Sequence, residues 1–174
     1  AHSENSHRKK HKALDHLQSV ALCAEKFAEK TGWSSEARLA GMLHDLGKYA
    51  DTFQARLRGE ASGIDHWSSG AWVALSEYHA VAAALAIQGH HVGLQMAGRD
   101  ALRNLNPATI AQHHPLNLKL SDSDLGRLRS RANADGLTFL KPEQYIINPS
   151  EGFKNPVASM LDVRMLFSCL TDAD

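Results

Sequence analysis

Features that would point to several other classes of protein are scarce or missing. The sequence has only two cysteines, Cys23 and Cys169, among its 174 residues. They are too few and too far apart for a disulfide framework. Because each lies in an apolar helical stretch, we expect two reduced thiols in the core, with no role in zinc binding. No apolar run approaches the roughly 20 residues that cross a membrane, and the first residues have no signal-peptide core. We therefore expect a cytoplasmic protein with no membrane partner.

An excess of charge and a phosphate-binding loop are also missing. The formal net charge is zero, so any contact with nucleic acid has to use local patches. The basic candidates are Arg8, Lys9, Lys10 and Lys12 near the N-terminus and Arg127, Arg129 and Arg131 in a predicted helix. We expect both groups to lie on surfaces exposed to solvent. The more specific alternative is that they contact phosphates or DNA.

No segment alternates apolar and polar residues in the manner of a β-strand, and helical spacing recurs instead. Apolar residues repeat at that spacing from Leu14 through Phe27 to Ala28. His16 lies at the edge of this stripe, where its ring can point inward. The pair Asn155-Pro156 is typical of a helix start and predicts a last helix up to two terminal aspartates. We predict an all-α fold in one domain over residues 1–174, which is long enough to bury its own core.

The chain is rich in histidine, with eleven, as many as its phenylalanines, tyrosines and tryptophans together. The pair His44-Asp45 follows an apolar run and precedes Gly47. This pattern predicts an imidazole and a carboxylate where a buried helix ends. A buried carboxylate needs a partner, which is either Lys48 with the backbone or a bound cation.

Two further pairs add metal-binding side chains. His90-His91 follows Gly89 at the end of an Ala-rich helical run, and His66 follows Asp65, which we expect to cap the next helix. Together with His44-Asp45, these pairs offer more nitrogen and oxygen donors than one tetrahedral ion can use. The pattern suggests two metal ions.

These pairs belong to a series of short motifs that runs along nearly the whole chain. The motifs are His2-Ser3, His16-Leu17 with Val20-Ala21, the stretch from Gly41 to Lys48, Phe53-Gln54, Asp65-His66-Trp67-Ser68 with Gly70-Ala71, the stretch from Gly89 to Leu94, and the stretch from Arg164 to Asp174. In this combination the sequence resembles the HD-superfamily nuclease domain of type I CRISPR interference, which is usually joined to a helicase. His113-His114 matches no motif of that family, and we expect it not to bind metal. The resemblance implies a compact all-α HD-superfamily domain with a metal site in its helical core. It also implies a piece of a longer chain, because the last helix of the family continues where this sequence stops.

The resemblance implies a ligand set for each of two ions. The first set is His16, His44, Asp45 and Asp174, and the second is Asp45, His66, His90 and His91. Asp45 would bridge the ions and act as a catalytic residue together with Lys48. The ammonium of Lys48 can stabilise the transition state, although a structural ion pair with Asp45 is its plainer role. Asp172 and Asp174 both face partly inward by periodicity, and the family's Ala-Asp pair selects Asp174. Mixed histidine and carboxylate ligation suits Mn²⁺, Fe²⁺, Co²⁺, Ni²⁺ or Zn²⁺ better than Mg²⁺.

The function that the resemblance implies is metal-dependent cleavage of single-stranded DNA in CRISPR interference, by a two-metal mechanism. The implied partners are single-stranded DNA, a helicase domain or subunit, and an RNA-guided surveillance complex. The residues themselves imply only hydrolysis of a phosphoester. Two alternatives therefore remain: an HD phosphohydrolase that acts on a nucleotide or another small phosphoester, and a metal-stabilised helical interaction module without enzymatic activity.

Overall fold

Helices account for all the regular secondary structure of the part of the chain that the computed structural model describes, residues 12–63, 65–94, 118, 120, 125–151 and 155–174. The helices are α1 (Ala13–Phe27), α2 (Ser34–Leu43), a 3-10 helix (Leu46–Tyr49), α3 (Asp51–Leu57), α4 (Ser68–Ser76), α5 (Val81–Val92), α6 (Leu125–Ala134) and α7 (Pro156–Ala173). This confirms the predicted all-α fold. None of these helices is long and apolar enough to cross a membrane.

Helices α1 and α2 pack closely against each other. A Cβ on Gly41 would lie 2.6 Å from the Cα of Ala21, so only glycine allows this approach. The face of α1 that is buried here carries Leu17, Ala21 and Ala24. The expectation that Cys23 lies in the core was wrong, because Cys23 is exposed, and Phe27 at the end of the apolar repeat is also 53% exposed. At ~100° per residue, Cys23 points about 120° and Phe27 about 80° away from the centre of the buried face.

Helix α5 lies at the centre of the fold and packs against α2, α4 and α7. Every residue from Val81 to Gly89 is buried, which is typical of a helix enclosed by its neighbours. Its alanines leave room for close packing, and its C-terminal end carries His90 and His91.

Helix α7 begins as predicted, and it ends beside the C-terminal end of α2. The side chain of Asn155 caps it by accepting hydrogen bonds from the amides of Val157 and Ala158 at 3.2 Å. The helix packs on α1 and α5 through a buried face that includes Leu166 and Leu170. Cys169 is half-buried beside this face, and burial raises the pKa of its thiol. It lies at the edge of the core, not within it as expected.

The basic helix α6 is tied to the rest of the chain by ion pairs. Arg127 and Arg131 both contact Asp51, at 3.0 and 2.8 Å, and Arg129 pairs with Glu77. Arg131 also donates to the carbonyl of Tyr49 at 2.9 Å. The arginines of the predicted basic face therefore form ion pairs within the protein. These contacts do not support the alternative prediction of a DNA-binding surface. The N-terminal basic residues up to Lys10 and the pair His113-His114 lie outside the described residues.

Candidate metal centre

The centre is built around the end of α2, where the chain leaves the helix inside the protein. His44 is fully buried, and Asp45 is 2% exposed. The Nδ1 of His44 donates a hydrogen bond to the carbonyl of Gly41 at 2.7 Å. When the ring is neutral, its lone pair is therefore on Nε2, which faces the centre.

Four side chains from three helices and the turn after α2 place one donor atom each in a first cluster, namely His16, His44, Asp45 and Asp174. The Nε2 atoms of His16 and His44 are 3.2 Å apart. Each lies 3.4 Å from Oδ2 of Asp45, and they lie 3.1 and 3.3 Å from Oδ1 of Asp174. Donors on a tetrahedral ion with bonds of about 2.0–2.1 Å are separated by about 3.3 Å, so this spacing fits a divalent ion.

The other oxygen of Asp45 faces a second cluster. Its Oδ1 is 3.3 Å from Nε2 of His66, 3.9 Å from Nε2 of His90 and 4.0 Å from Nε2 of His91. The Nδ1 of His90 donates to the carbonyl of Ile87 at 2.5 Å, which again leaves the lone pair on Nε2. Asp45 Oδ1 and His90 Nε2 are buried, and neither has a hydrogen-bond partner among the described residues. Two buried acceptors that face each other without a proton between them fit a bound cation.

Two glycines allow the segment with His66 to approach the end of α2. The amide of Gly47 donates to the carbonyl of His66 at 3.0 Å, and a Cβ there would lie 2.5 Å from that oxygen. A Cβ on Gly70 would lie 1.8 Å from the carbonyl oxygen of Leu43. Asp65 is not part of either cluster. As expected, its carboxylate caps α4 by accepting from the amides of Trp67 and Ser68, at 3.0 and 2.8 Å.

The two clusters differ in charge in the absence of metal. Burial alone would lower the pKa of His44, but hydrogen bonds to Asp174 and Asp45 raise it to about 9. The same pair of carboxylates raises the pKa of His16. The two histidines in turn hold the pKa of Asp174 well below its usual range, and they do the same for Asp45 although burial opposes the shift. The metal-free first cluster is therefore a set of imidazolium and carboxylate ion pairs, and a metal ion has to displace protons from it.

Two histidines of the second cluster, His90 and His91, are neutral near pH 7. Burial lowers the pKa of His90 to about 4 and also lowers the pKa of His91. A neutral imidazole is the form that binds a metal ion, so these two rings can bind one without losing a proton.

Lys48 lies beside both clusters on the 3-10 helix and is 6% exposed. Its ammonium pairs with Oδ2 of Asp45. The structure therefore contains the ion pair with Asp45 that is the plainer of the two predicted roles of Lys48. The same position places the positive charge next to the proposed reaction centre.

Of the two terminal aspartates, the structure brings Asp174 to the first cluster, whereas Asp172 is exposed. It also brings the six other predicted ligands around Asp45, although the closely spaced donors of the second cluster are those of Asp45, His66 and His91, and His90 reaches it through its 3.9 Å distance to Asp45. The sequence did not predict that the ring of Trp67 packs against the second cluster. Its centroid lies 4.6 Å from that of His91 and 5.2 Å from that of His66. The position of Trp67 directly after His66 was the available signal.

The helical fold and the two His/Asp clusters define a helical domain with the ligands for divalent metal ions. The family model of the HD domain matches residues 13–130, and the chain belongs to this family. HD domains bind divalent metals and are generally metal-dependent phosphohydrolases. The matched range includes every candidate ligand except Asp174. A search of curated proteins found no match to the chain.

Proposed function

We propose that the protein hydrolyses phosphodiester bonds of single-stranded DNA with two divalent metal ions. The observation that carries this proposal is Asp45, a single buried carboxylate whose two oxygens face two separate groups of donors. One ion would be held by His16, His44, Asp45 and Asp174, and the other by Asp45, His66, His90 and His91.

The residues around the ions have separable roles. Two divalent ions bound there supply Lewis-acid activation of a water molecule and of the phosphoryl oxygens. The backbone hydrogen bonds of His44 and His90 fix the orientation of both rings and keep Nε2 available. Lys48 adds a positive charge beside Asp45, where it stabilises the negative charge that develops on the phosphoryl group.

The nature of the ligands supports a transition metal. Five histidines against two aspartates favour Mn²⁺, Fe²⁺, Co²⁺, Ni²⁺ or Zn²⁺ over Mg²⁺, which prefers oxygen ligands and strict octahedral geometry. Mn²⁺ is a suitable probe because it accepts both nitrogen and oxygen ligands.

The choice of a polymer as the substrate is supported by the partial exposure of two of the ligands. The side chains of His91 and Asp174 are 37% and 31% exposed, whereas His44 and Asp45 are buried. An extended strand can approach ligands that reach the surface. The sequence resemblance supports single-stranded DNA, CRISPR interference in the cytoplasm, and partnership with a helicase and an RNA-guided surveillance complex.

Digestion of circular single-stranded DNA in the presence of Mn²⁺ tests this function. We expect the circle to be linearised and then degraded, with no cleavage by Asp45→Asn and full cleavage by the matched control Asp172→Asn. Hydrolysis of nucleotides but not of the circle would replace the proposal with a small-molecule phosphohydrolase. A protein that binds metal but hydrolyses neither substrate would be a metal-stabilised interaction module.

A further inference from the structure

A buried carboxylate away from the metal centre connects three separate parts of the chain. Glu36 lies in the first turn of α2 and is fully buried. Its Oε1 accepts a hydrogen bond from the amide of Ala83 in α5 at 3.2 Å, and its Oε2 accepts one from the amide of Ile146 at 2.8 Å. No side chain caps the start of α2 itself.

Glu36 acts as the missing N-terminal cap of α5. The residue at the cap position is Ala80, which has no side-chain acceptor. The amide of Ala83, in the first turn, is one of those that have no partner within their own helix. The side chain of Glu36 supplies the acceptor from α2, and its oxygen lies at the positive end of the α5 dipole. The start of α5 is further fixed by a bond from the amide of Ala80 to the carbonyl of Ala74 at 2.8 Å.

Helices α2 and α5 run in the same direction from this contact to the metal centre. Eight residues separate Glu36 from His44, and eight separate Ala83 from His91. At 1.5 Å per residue, both distances are about 12 Å along the helix axis. At the far end, the ring centroids of His44 and His90 are 5.2 Å apart. A shift of α5 along α2 at the Glu36 end would therefore move His90 and His91 by the same amount relative to Asp45.

We propose that Glu36 is a positioning residue, which sets the register of α5 against α2 and so holds His90 and His91 at the right distance from Asp45 for the second ion. This inference rests on the proposed two-ion function. The first ion depends less on this register, because its ligands come from α1, from the end of α2 and from α7. The proposal therefore predicts a selective effect on one of two ions, which a general loss of stability does not produce.

Titration of Mn²⁺ into Glu36→Gln tests the selectivity. Glutamine has the same shape, but it offers one acceptor oxygen and turns an NH₂ group toward the second backbone N–H. We expect the affinity for the second ion to fall by about tenfold or more, in the range found for groups that orient metal ligands, and the first to stay within about threefold. The electron paramagnetic resonance signal of a coupled Mn²⁺ pair should weaken in parallel.

Glu25→Gln is the matched control. Glu25 is also a carboxylate that ties another helix to α2, since it accepts from Arg38 at 2.8 Å, but it belongs to α1 and lies far along the chain from α5. Both ion affinities should match those of the wild type in this control. If Glu36→Gln does not fold, Glu36→Asp replaces it, because aspartate keeps the carboxyl group but is one methylene shorter. This variant should also lower the affinity for the second ion selectively.

The possible results separate this inference from the function on which it rests. A Glu36 variant with a lower melting temperature but unchanged affinity for both ions, or with both affinities reduced equally, would overturn the positioning role while the two-ion function stands. A wild-type protein that binds fewer than two Mn²⁺ ions would contradict the proposed function, and the inference with it.

Discussion

Replacement of Asp174 by asparagine should weaken the first metal cluster at a predictable cost in stability. Asp174 Oδ1 lies 3.1 Å from Nε2 of His16 and 3.3 Å from Nε2 of His44. Asparagine keeps the size of the side chain but removes the charge that both imidazolium groups contact. The exposed neighbour Asp172, two residues away, offers a matched control with the same chemical change.

The size of the expected loss in the free energy of unfolding follows from the pKa of His44. Burial opposes protonation, but Asp174 and Asp45 raise this pKa from 6.5 to about 9. At about 1.4 kcal/mol per pKa unit, the tighter proton binding in the folded state is worth about 3 kcal/mol. Because the pKa is raised on folding, this stability is fully present below pH 6.5 and is lost as the pH rises through 9. The two carboxylates together outweigh the opposing effect of burial, so the removal of one should lower the free energy of unfolding by about 2 kcal/mol or more at pH 6.

Urea unfolding with a metal chelator, at several pH values from 6 to 10, measures this effect. The difference between wild type and Asp174→Asn should shrink toward zero above pH 9, while Asp172→Asn follows the wild type throughout. With Mn²⁺ present, Asp174→Asn should bind the first ion at least about tenfold more weakly. The assignment of Asp174 is refuted if Asp172→Asn loses stability and metal while Asp174→Asn retains both.

Three other substitutions probe separate parts of the account. Lys48→Ala should lower the rate of hydrolysis but leave metal content nearly intact, because a charged ammonium cannot bind a metal ion; loss of metal without an independent effect on the rate would make it a structural residue. Gly70→Ala should destabilise the protein by about 3 kcal/mol or more in thermal unfolding, because its Cβ would lie 1.8 Å from the carbonyl oxygen of Leu43; an unchanged melting temperature would contradict this close approach. Burial raises the pKa of Glu36 from 4.5 to about 7 although backbone hydrogen bonds oppose it, so the stability linked to its protonation is lost as the pH rises through 7. The stability of wild type relative to Glu36→Gln should therefore fall by about 3 kcal/mol between pH 4.5 and 7.5 in urea unfolding, and a constant difference would exclude a buried ionisable Glu36.

The features that depend on local order could be predicted from the sequence. Helical spacing alone indicates the all-α fold. Asn155-Pro156 predicts the start of α7, and Asp65 predicts the start of α4. The ligand set could be predicted only from the order of the motifs along the chain. No local pattern indicates that residues as distant as His16 and His91 converge on one carboxylate. The family motif also distinguishes Asp174 from Asp172, because helical periodicity predicts that both side chains face partly inward.

The features that depend on packing could not be predicted. Cys23 belongs to an apolar stretch, but its direction around α1 places it in solvent. Glu36 reads as an ordinary helix-start residue, and its burial depends on the amides of Ala83 and Ile146, which are distant in sequence. The arginines of α6 remain a third to a half exposed, as expected for a solvated face, but their ion pairs could not be predicted because the partners Asp51 and Glu77 are distant in sequence.

The central claim is that Asp45 joins two metal ions into one hydrolytic centre. Its most direct test is a count of bound Mn²⁺ per protein, with the rate of DNA hydrolysis measured on the same samples of wild type, Asp45→Asn and His66→Ala. We expect two ions and activity in the wild type, one ion in His66→Ala, and loss of both the coupled pair and hydrolysis in Asp45→Asn. An Asp45→Asn protein that still binds a coupled pair and cleaves at the wild-type rate would contradict the account.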